Sequence, residues 1–333
     1  MLRRTFLGKT VAVVSATAVG WRSIMASPLS GRSERADRSF SRQYSAQRRF
    51  AQVRFGRVAY IDRGNGPACL FLHGFPLSSF QWRGAIERLS PFRRCIAPDF
   101  LALGNTEVAE GQDVGPSAQA KMIIAFLDHL SIHEVDLIAN DSGGAVAQLI
   151  VASHPDRVRS LLLTNCDVET DSPPPALKPV IEMARAGTFP DQWLVPWLAN
   201  KELARSATGL GGLCYCDPAH PTDAAIEQYL GPLVSSPARK ALTNAYALGL
   251  EVNPLAGIEA ILRHRRVPTR IVWGMADTIF SHESPAYLAG VLPGTVGVTR
   301  IPEAKLFFPE EYPDRIAAEA RMLWAAGGRG RSL

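Results

Sequence analysis

The chain has 333 residues, of which 47% are hydrophobic and 20% charged, so it has enough apolar material for a packed core and is not a disordered polypeptide. Its formal net charge of +5 is unevenly distributed. Residues 1–50 contain ten Lys and Arg residues against two acidic ones, which leaves 26 basic and 29 acidic residues in the remaining 283. No nucleic-acid partner is therefore expected for the folded part.

Residues 1–27 have the arrangement of an export signal. A cationic start precedes an apolar run over residues 10–20, and the small residues Ala26 and Ser27 follow. The run is too short to hold the mature protein in a bilayer, so no stable membrane anchor is expected. RRTFLGK, residues 3–9, resembles the twin-arginine signal. The resemblance implies a periplasmic or secreted protein that meets the twin-arginine translocation machinery during export.

A Ser- and Arg-rich stretch at residues 28–50 is predicted to be a disordered linker. After it, short β-branched and apolar runs alternate with longer helical patterns, which predicts an α/β fold with a mostly parallel sheet covered by helices on both faces. The predicted strands are 53–61, 68–73, 95–98, 135–140, 160–164, 269–273 and 296–301. The predicted helices are 81–89, 117–130, 144–153, 284–289 and 313–325.

The alternation stops within residues 171–266, which are proline-rich at 173–175 and then follow a helical pattern. This stretch is predicted to be a helical cap inserted between two parts of one core, residues 51–170 and 267–325, with a flexible tail over 326–333. The aromatic residues of the cap could line a pocket or form a small core of their own. Those considered as substrate contacts are Trp193, Tyr215, Tyr229 and Tyr246.

Three loops that follow predicted strands contain the residues with catalytic potential, since ligands of parallel sheets bind beyond the carboxyl ends of the strands. In HGFP, residues 73–76, a backbone N–H near Phe75 could point at the negative charge that develops on a reacting group. In VDLIANDSGGAVAQ, residues 135–148, a strand turns sharply into a helix. In IVWGMADTIF, residues 271–280, Asp277 lies four residues beyond the end of a strand.

With HGFPLSSFQWR, APDFLALGNTE, LIANDSGG, SHPDRV and WGMAD in this order, the chain from about Ala51 to Trp324 resembles the α/β-hydrolase superfamily. The resemblance implies a nucleophile elbow in which Asp141 is the nucleophile and Ser142 the residue after it. An aspartate there resembles the branch of haloalkane dehalogenases and epoxide hydrolases, in which a carboxylate attacks an sp³ carbon to form an ester. In an enzyme of this branch, the N–H groups of Phe75 and Ser142 would be expected to stabilise the leaving or oxyanionic group.

Two alternatives remain for this turn. Asp141 could simply cap the helix that follows. Ser142 could be the nucleophile of a serine esterase, although Asn140 is then bulky for the second position before the nucleophile.

Asp277 matches the family's third triad member, the acid that orients a histidine. The histidine is expected in a segment shaped like AGHFxxxE, but this chain has EAKLFFPEE, with Leu306 at the histidine position. Leucine cannot accept a proton, so the usual activation of water is missing. Asp277 could orient or replace the base. Other candidates near the vacancy are His282, Glu303, Lys305, Glu310 and Glu311.

Two further differences from the family pattern leave the substrate class open. Haloalkane dehalogenases usually have a halide-binding tryptophan where this chain has Ser142, and epoxide hydrolases use two cap tyrosines. The leading prediction is an exported hydrolase of a small apolar molecule, either a haloalkane or an epoxide. The alternatives are a non-hydrolysing binding or lyase-like protein and the serine esterase. The five dispersed cysteines do not predict a disulfide framework, and no cofactor or metal is expected.

Overall fold

The computed structural model describes residues 34–109 and 111–329. The predicted leader, residues 1–27, lies outside the described residues. Within the described ranges, none of the helices combines the length and the apolar character needed to span a membrane.

A single nine-stranded sheet forms the centre of the molecule. Its strands are β1 (Arg49–Val53), β2 (Gly56–Arg63), β3 (Ala68–Leu72), β4 (Arg94–Pro98), β5 (Glu107–Val108), β6 (Val135–Asp141), β7 (Val158–Cys166), β8 (Thr269–Gly274) and β9 (Thr295–Ile301). The spatial order is β1-β2-β4-β3-β6-β7-β8-β9, with β5 paired to β2. All pairs from β4 to β9 are parallel, whereas β2 is antiparallel to β1, β4 and β5.

The central strands β3 and β6 are buried along their whole length, which explains why they are continuously apolar rather than alternating. Successive side chains nevertheless point to opposite faces. Leu70 belongs to the core on one face, whereas Phe71 belongs to the core on the other. Both faces are therefore covered by helices.

The helices that flank the sheet are α2 (Arg83–Leu89), α3 (Pro116–His129), α4 (Ser142–Ser153), α12 (Ser284–Val291), α13 (Phe308–Glu311) and α14 (Pro313–Arg329). Apolar residues of α2 and α14 share one core, and those of α3, α4 and α12 share the other. Because α14 continues to Arg329, the prediction of a flexible tail is wrong for residues 326–329.

Between β7 and β8 the chain is helical. The helices are α5 (Lys178–Arg185), α6 (Val195–Ala199), α7 (Lys201–Arg205), α8 (Leu210–Cys214), α9 (Asp223–Val234), α10 (Pro237–Gly249) and α11 (Glu259–Leu262). We call residues 171–266 the cap. Most of its aromatic side chains are buried and contribute to the larger of the two cores.

The prediction of a disordered linker over residues 28–50 is wrong from residue 34 onwards, because α1 (Glu34–Ala46) precedes β1. Only two aromatic residues, Phe40 and Tyr44, give this polar helix an apolar face, and their four-residue spacing places them on the same side. The ring centroids of Phe40 and Tyr44 lie 6.4 and 4.9 Å from that of Phe80. Tyr44 also donates a hydrogen bond of 2.8 Å to the carbonyl of Ser79. The helix was not predicted because its Ser- and Arg-rich sequence contains only this small apolar surface.

Residues 53–61, predicted as one strand, form instead the last residue of β1, the turn between β1 and β2, and the first part of β2. Gly56 follows the turn at φ +139°, a conformation that other residues rarely adopt, and a Cβ at this position would lie 2.1 Å from the carbonyl oxygen of Glu107. The apolar run therefore belongs to a hairpin at the edge of the sheet.

Candidate active site

The sharp turn predicted around Asp141 is present. Asp141 is the last residue of β6 and the residue before α4, with φ +55° and ψ −135°, a combination that L-amino acids rarely adopt. Two glycines permit this turn. A Cβ on Gly143 would lie 2.6 Å from the carbonyl oxygens of Leu72 and His73, and one on Gly144 would lie 2.2 Å from the Cβ of Cys166.

The carboxylate of Asp141 is buried and accepts hydrogen bonds from the backbone N–H groups of Ser142 and Phe75. Burial raises its pKa to about 8, and the negative charge of Asp167 acts in the same direction. The two N–H groups oppose this shift because they stabilise the charged form. The N–H groups predicted to stabilise developing charge thus donate to the carboxylate of Asp141 itself.

Ser142 is the first residue of α4, and its hydroxyl lies 3.0 Å from the hydroxyl of Tyr246 on α10. The ring of Tyr246 stacks on Phe75, with centroids 5.1 Å apart and planes inclined by 23°. Burial raises the pKa of the Tyr246 phenol, so the phenol is a proton donor or acceptor in its neutral form. Two hydroxyl groups therefore adjoin the Asp141 turn.

Asp277 follows β8 and is 2% exposed. Its carboxylate accepts hydrogen bonds from the side-chain amide of Asn165 at 2.7 Å and from the N–H of Ile279 at 2.9 Å. Burial raises its pKa, while these donors lower it. The ring of His282 lies 3.0 Å from the backbone carbonyl of Asp277, so this imidazole does not take the triad position against the carboxylate.

Leu306 is buried and faces the cavity described below. The other candidates near position 306 point elsewhere. The Lys305 ammonium donates to the carbonyl of Gly212 at 2.7 Å. Glu310 forms an ion pair of 2.6 Å with Arg83, and Glu311 accepts from the N–H groups of Cys216 and Asp217. Glu303 is exposed.

A mainly apolar cavity of about 260 Å³ lies between the sheet and the cap. It is lined by Phe75, Pro76, Asp141, Ser142, Asp167, Pro174, Ala176, Leu177, Val180, Phe189, Trp193, Trp197, Leu210, Leu213, Cys214, Leu250, Thr278, Ile279, Phe280 and Leu306. This set includes no histidine, although all seven histidines lie within the described part of the chain. The elbow thus faces a pocket suited to a small apolar molecule.

The structure corrects part of the predicted substrate set. Trp193 lines the cavity, whereas Tyr215 and Tyr229 do not. Their hydroxyl groups donate to Glu310 at 2.7 and 2.9 Å, beside the ion pair with Arg83. A buried hydroxyl needs a hydrogen-bond partner. For both tyrosines that partner is Glu310, at the contact between the cap and the core. Tyr246 does not line the cavity either, but it contacts two residues that do, Ser142 through its hydroxyl and Phe75 through its ring.

These features combine a parallel sheet, an elbow after its central strand and a helical insertion over the elbow. A family model of the α/β hydrolase fold matches residues 67–310. The chain belongs to the α/β hydrolase fold family. The predicted fold class is therefore confirmed.

Several relatives of this α/β hydrolase have known names. Haloalkane dehalogenase 2 of Mycobacterium tuberculosis is 29% identical over 282 residues, which cover 83% of this chain and 94% of that protein. Cis-3-alkyl-4-alkyloxetan-2-one decarboxylase of Shewanella oneidensis is 24% identical over 258 residues, covering 70% and 74%. The structure of epoxide hydrolase CorEH shares the fold, with a TM-score of 0.69 at 22% identity over 84% of this chain and 98% of that one. This α/β hydrolase is therefore similar in sequence to haloalkane dehalogenases, and it shares its fold with an epoxide hydrolase.

One carboxylate in this α/β hydrolase's cavity, that of Asp167, was not predicted from the sequence. Asp167 directly follows β7, and β7 pairs in parallel with β6 so that Cys166 is opposite Asp141. A carboxylate at the carboxyl end of the strand beside the elbow strand is the signal that could have identified it.

Proposed function

We propose that this α/β hydrolase opens or cleaves a small apolar electrophile through a covalent ester on Asp141. The observation that carries the proposal is the turn at Asp141, which presents a buried carboxylate to an apolar cavity while two backbone N–H groups hold one side of it. One carboxylate oxygen attacks carbon, and the bond from that carbon to the leaving atom breaks with its electron pair.

The hydroxyl groups beside Asp141 favour an oxygen leaving atom over a halide. Ser142 lines the cavity and is hydrogen-bonded to Tyr246, so the pair can donate a proton or a hydrogen bond to an alkoxide. An epoxide opened at carbon supplies such an alkoxide, and a strained lactone opened at its sp³ carbon supplies a carboxylate oxygen that can accept the same hydrogen bond. The decarboxylase among the relatives is named for an oxetan-2-one, which is a strained lactone.

The decisive experiment incubates the protein with 1,2-epoxyhexane or 1-bromohexane in H₂¹⁸O and measures intact and peptide masses. We expect an adduct on Asp141 or ¹⁸O in its carboxyl group, and neither in Asp141→Asn. Ser142→Ala and Tyr246→Phe should slow reaction with the epoxide at least tenfold more than reaction with the bromide. Equal slowing of both reactions would contradict the assigned leaving atom.

Leu306 supports a second candidate, a protein that binds or traps its ligand without hydrolysing it, or that acts as a lyase, because no histidine lines the cavity. An adduct on Asp141 that never clears identifies a trap, and reversible binding without an adduct identifies a binding protein. The serine esterase remains a third reading. Labelling by a fluorophosphonate that is lost in Ser142→Ala would establish it.

We also propose that the chain is exported to the periplasm through the twin-arginine route. The motif RRTFLGK at residues 3–9 supports this proposal. Residues 1–50 fused to a folded fluorescent reporter should direct it to the periplasm. Replacing both Arg3 and Arg4 by Lys should keep the reporter in the cytoplasm, and export of that variant would contradict the proposed route.

A further inference from the structure

A second carboxylate faces the cavity beside Asp141. Asp167 lies one residue beyond the strand position that pairs with Asp141, and both side chains line the same cavity. Asp167 is 8% exposed. The two carboxyl groups are close enough for the charge of Asp167 to raise the pKa of Asp141.

Asp167 is held in a fixed orientation. The hydroxyl of Ser172 donates to its Oδ1 at 2.8 Å, and the side-chain amide of Gln148 on α4 donates to its backbone carbonyl at 2.8 Å. Burial raises the pKa of Asp167 to about 6, and the Ser172 hydrogen bond opposes this shift. The carboxylate form is therefore available at neutral pH as a proton acceptor.

The cavity offers few other proton acceptors. Among the residues described as lining it, the titratable side chains are those of Asp141, Asp167 and Cys214. Burial raises the pKa of the Cys214 thiol well above its ordinary value, so this thiol remains protonated. Asp277, predicted as a possible replacement for the base, is not one of the lining residues, and Asn165 donates to its carboxylate.

We propose that Asp167 is the general base that activates water in place of the histidine absent from position 306. This inference rests on the proposed ester at Asp141. The Asp167 carboxylate removes a proton from water as the water oxygen attacks Cγ of the Asp141 ester. The resulting oxyanion accepts hydrogen bonds from the N–H groups of Phe75 and Ser142. The bond from Cγ to the alkoxy oxygen then breaks, and the alkoxide takes the proton back from Asp167 to leave as an alcohol. Asp141 is left as a carboxylic acid, which loses its proton to solvent.

Formation of the ester before its hydrolysis favours Asp167 as the base. While Asp141 is ionised, its negative charge disfavours ionisation of Asp167. Esterification removes that charge, so Asp167, whose pKa is about 6, stays ionised when water must be activated. The same pair of residues therefore supplies a nucleophile first and a base second.

The test separates formation of the adduct from its removal. Wild type, Asp167→Asn and Asp167→Glu are mixed with 1,2-epoxyhexane or 1-bromohexane, quenched in acid at successive times and analysed by intact mass. We expect Asp167→Asn to form the Asp141 adduct within about threefold of the wild-type rate and to remove it at least about 100-fold more slowly, the scale of a lost general base. Asp167→Glu should recover part of the loss.

Matched variants guard against a folding defect. Asp128→Asn removes a carboxylate that pairs with Arg157 at the surface and should leave both rates unchanged. Adding Leu306→His to Asp167→Asn should restore removal of the adduct, because an imidazole then adjoins the ester. Should Asp167→Asn fail to fold, Ser172→Ala, which frees the Asp167 carboxylate, should slow removal about threefold to tenfold.

Each result is decisive. Removal of the adduct at the wild-type rate in Asp167→Asn overturns the role of Asp167 while leaving the ester on Asp141 intact. A folded Asp167→Asn that forms no adduct also overturns it, because the residue then acts before the ester. If wild type gives no adduct, no product and no ¹⁸O in Asp141, the proposed function itself fails, and the role of Asp167 fails with it.

Discussion

The side-chain amide of Asn140 donates a hydrogen bond of 3.1 Å to the backbone carbonyl of Leu306. The same amide donates to the carbonyl of Asn165 at 3.0 Å, so the residue before Asp141 joins the elbow to the loop after β9. The position at which a histidine is expected is therefore fixed relative to the elbow, although its side chain is a leucine.

Leu306→His is expected to increase turnover of 1,2-epoxyhexane at least tenfold, because the imidazole enters the cavity beside Asp141 at a position whose backbone is already held. Burying a polar ring in place of leucine should lower the free energy of unfolding by about 2 kcal/mol. Steady-state kinetics and urea unfolding measure the two effects. Leu306→Gln, a polar side chain without a comparable base, serves as the control, and an equal gain in that variant would contradict the explanation.

The rate of adduct formation should rise with pH and level off above about pH 8, because burial raises the pKa of Asp141 to about 8 and only the carboxylate attacks. Stability has the opposite dependence. The folded protein binds a proton on Asp141 more tightly than the unfolded chain does, so this stabilisation is complete below pH 4 and is lost as the pH rises towards 8.

Asp141→Asn tests the stability effect directly. Relative to wild type, this variant should be more stable at pH 8.5 than at pH 5.5 by at least about 1 kcal/mol in the free energy of unfolding. Urea unfolding at the two pH values measures the difference. An unchanged difference would mean that Asp141 is ionised in the folded protein at both pH values.

The ion pair of Arg83 and Glu310 should contribute strongly to the attachment of the cap. Glu310 is 1% exposed in its side chain and accepts from Tyr215 and Tyr229 of the cap. Arg83→Met should lower the free energy of unfolding by about 3–5 kcal/mol, because it leaves a buried carboxylate without its partner. By contrast, Arg88→Met breaks a more exposed pair with Asp314 and should cost less than about 1 kcal/mol. Similar losses in both variants would argue against burial as the cause.

Tyr44→Ala should lower the free energy of unfolding by about 2–4 kcal/mol, since it removes a buried ring and its hydrogen bond to Ser79. Arg42, on the same helix, is exposed, and Arg42→Ala should change stability by less than about 0.5 kcal/mol. Thermal and urea unfolding of both variants measure this contrast. A neutral Tyr44→Ala would show that α1 contributes nothing to the stability of the core.

The sequence allowed prediction of the parallel strands β3, β4 and β6 to β9 and of the Asp141 turn, because local patterns determine both. Continuous apolar runs mark strands buried on two faces, and the Gly143–Gly144 pair permits a helix to start close to a neighbouring strand. The predicted roles of the cap tyrosines were wrong because contacts between residues far apart in sequence determine where those side chains point. Tyr215 and Tyr229 are aromatic residues of the cap, but only the folded chain shows that their hydroxyl groups are directed to Glu310.

Asp167 was missed for a related reason. Its chemistry depends on the pairing of β6 with β7, which brings two residues 26 positions apart in sequence to one cavity. No local motif contains both. Helix α1 was missed because its apolar face consists of two rings within a stretch whose composition is that of a solvated segment.

Helix α1 also contacts the cap, so its stability depends on whether the cap is docked on the core. Ser45 of α1 hydrogen-bonds to Gln228 of α9, 183 residues later in the chain, and Phe80 lies between the rings of Tyr44 and Tyr229. A 13-residue helix is marginal in water on its own. Hydrogen exchange of the α1 amides should therefore be slow only while α9 is docked, which makes this first helix a natural probe of cap opening during folding or ligand entry.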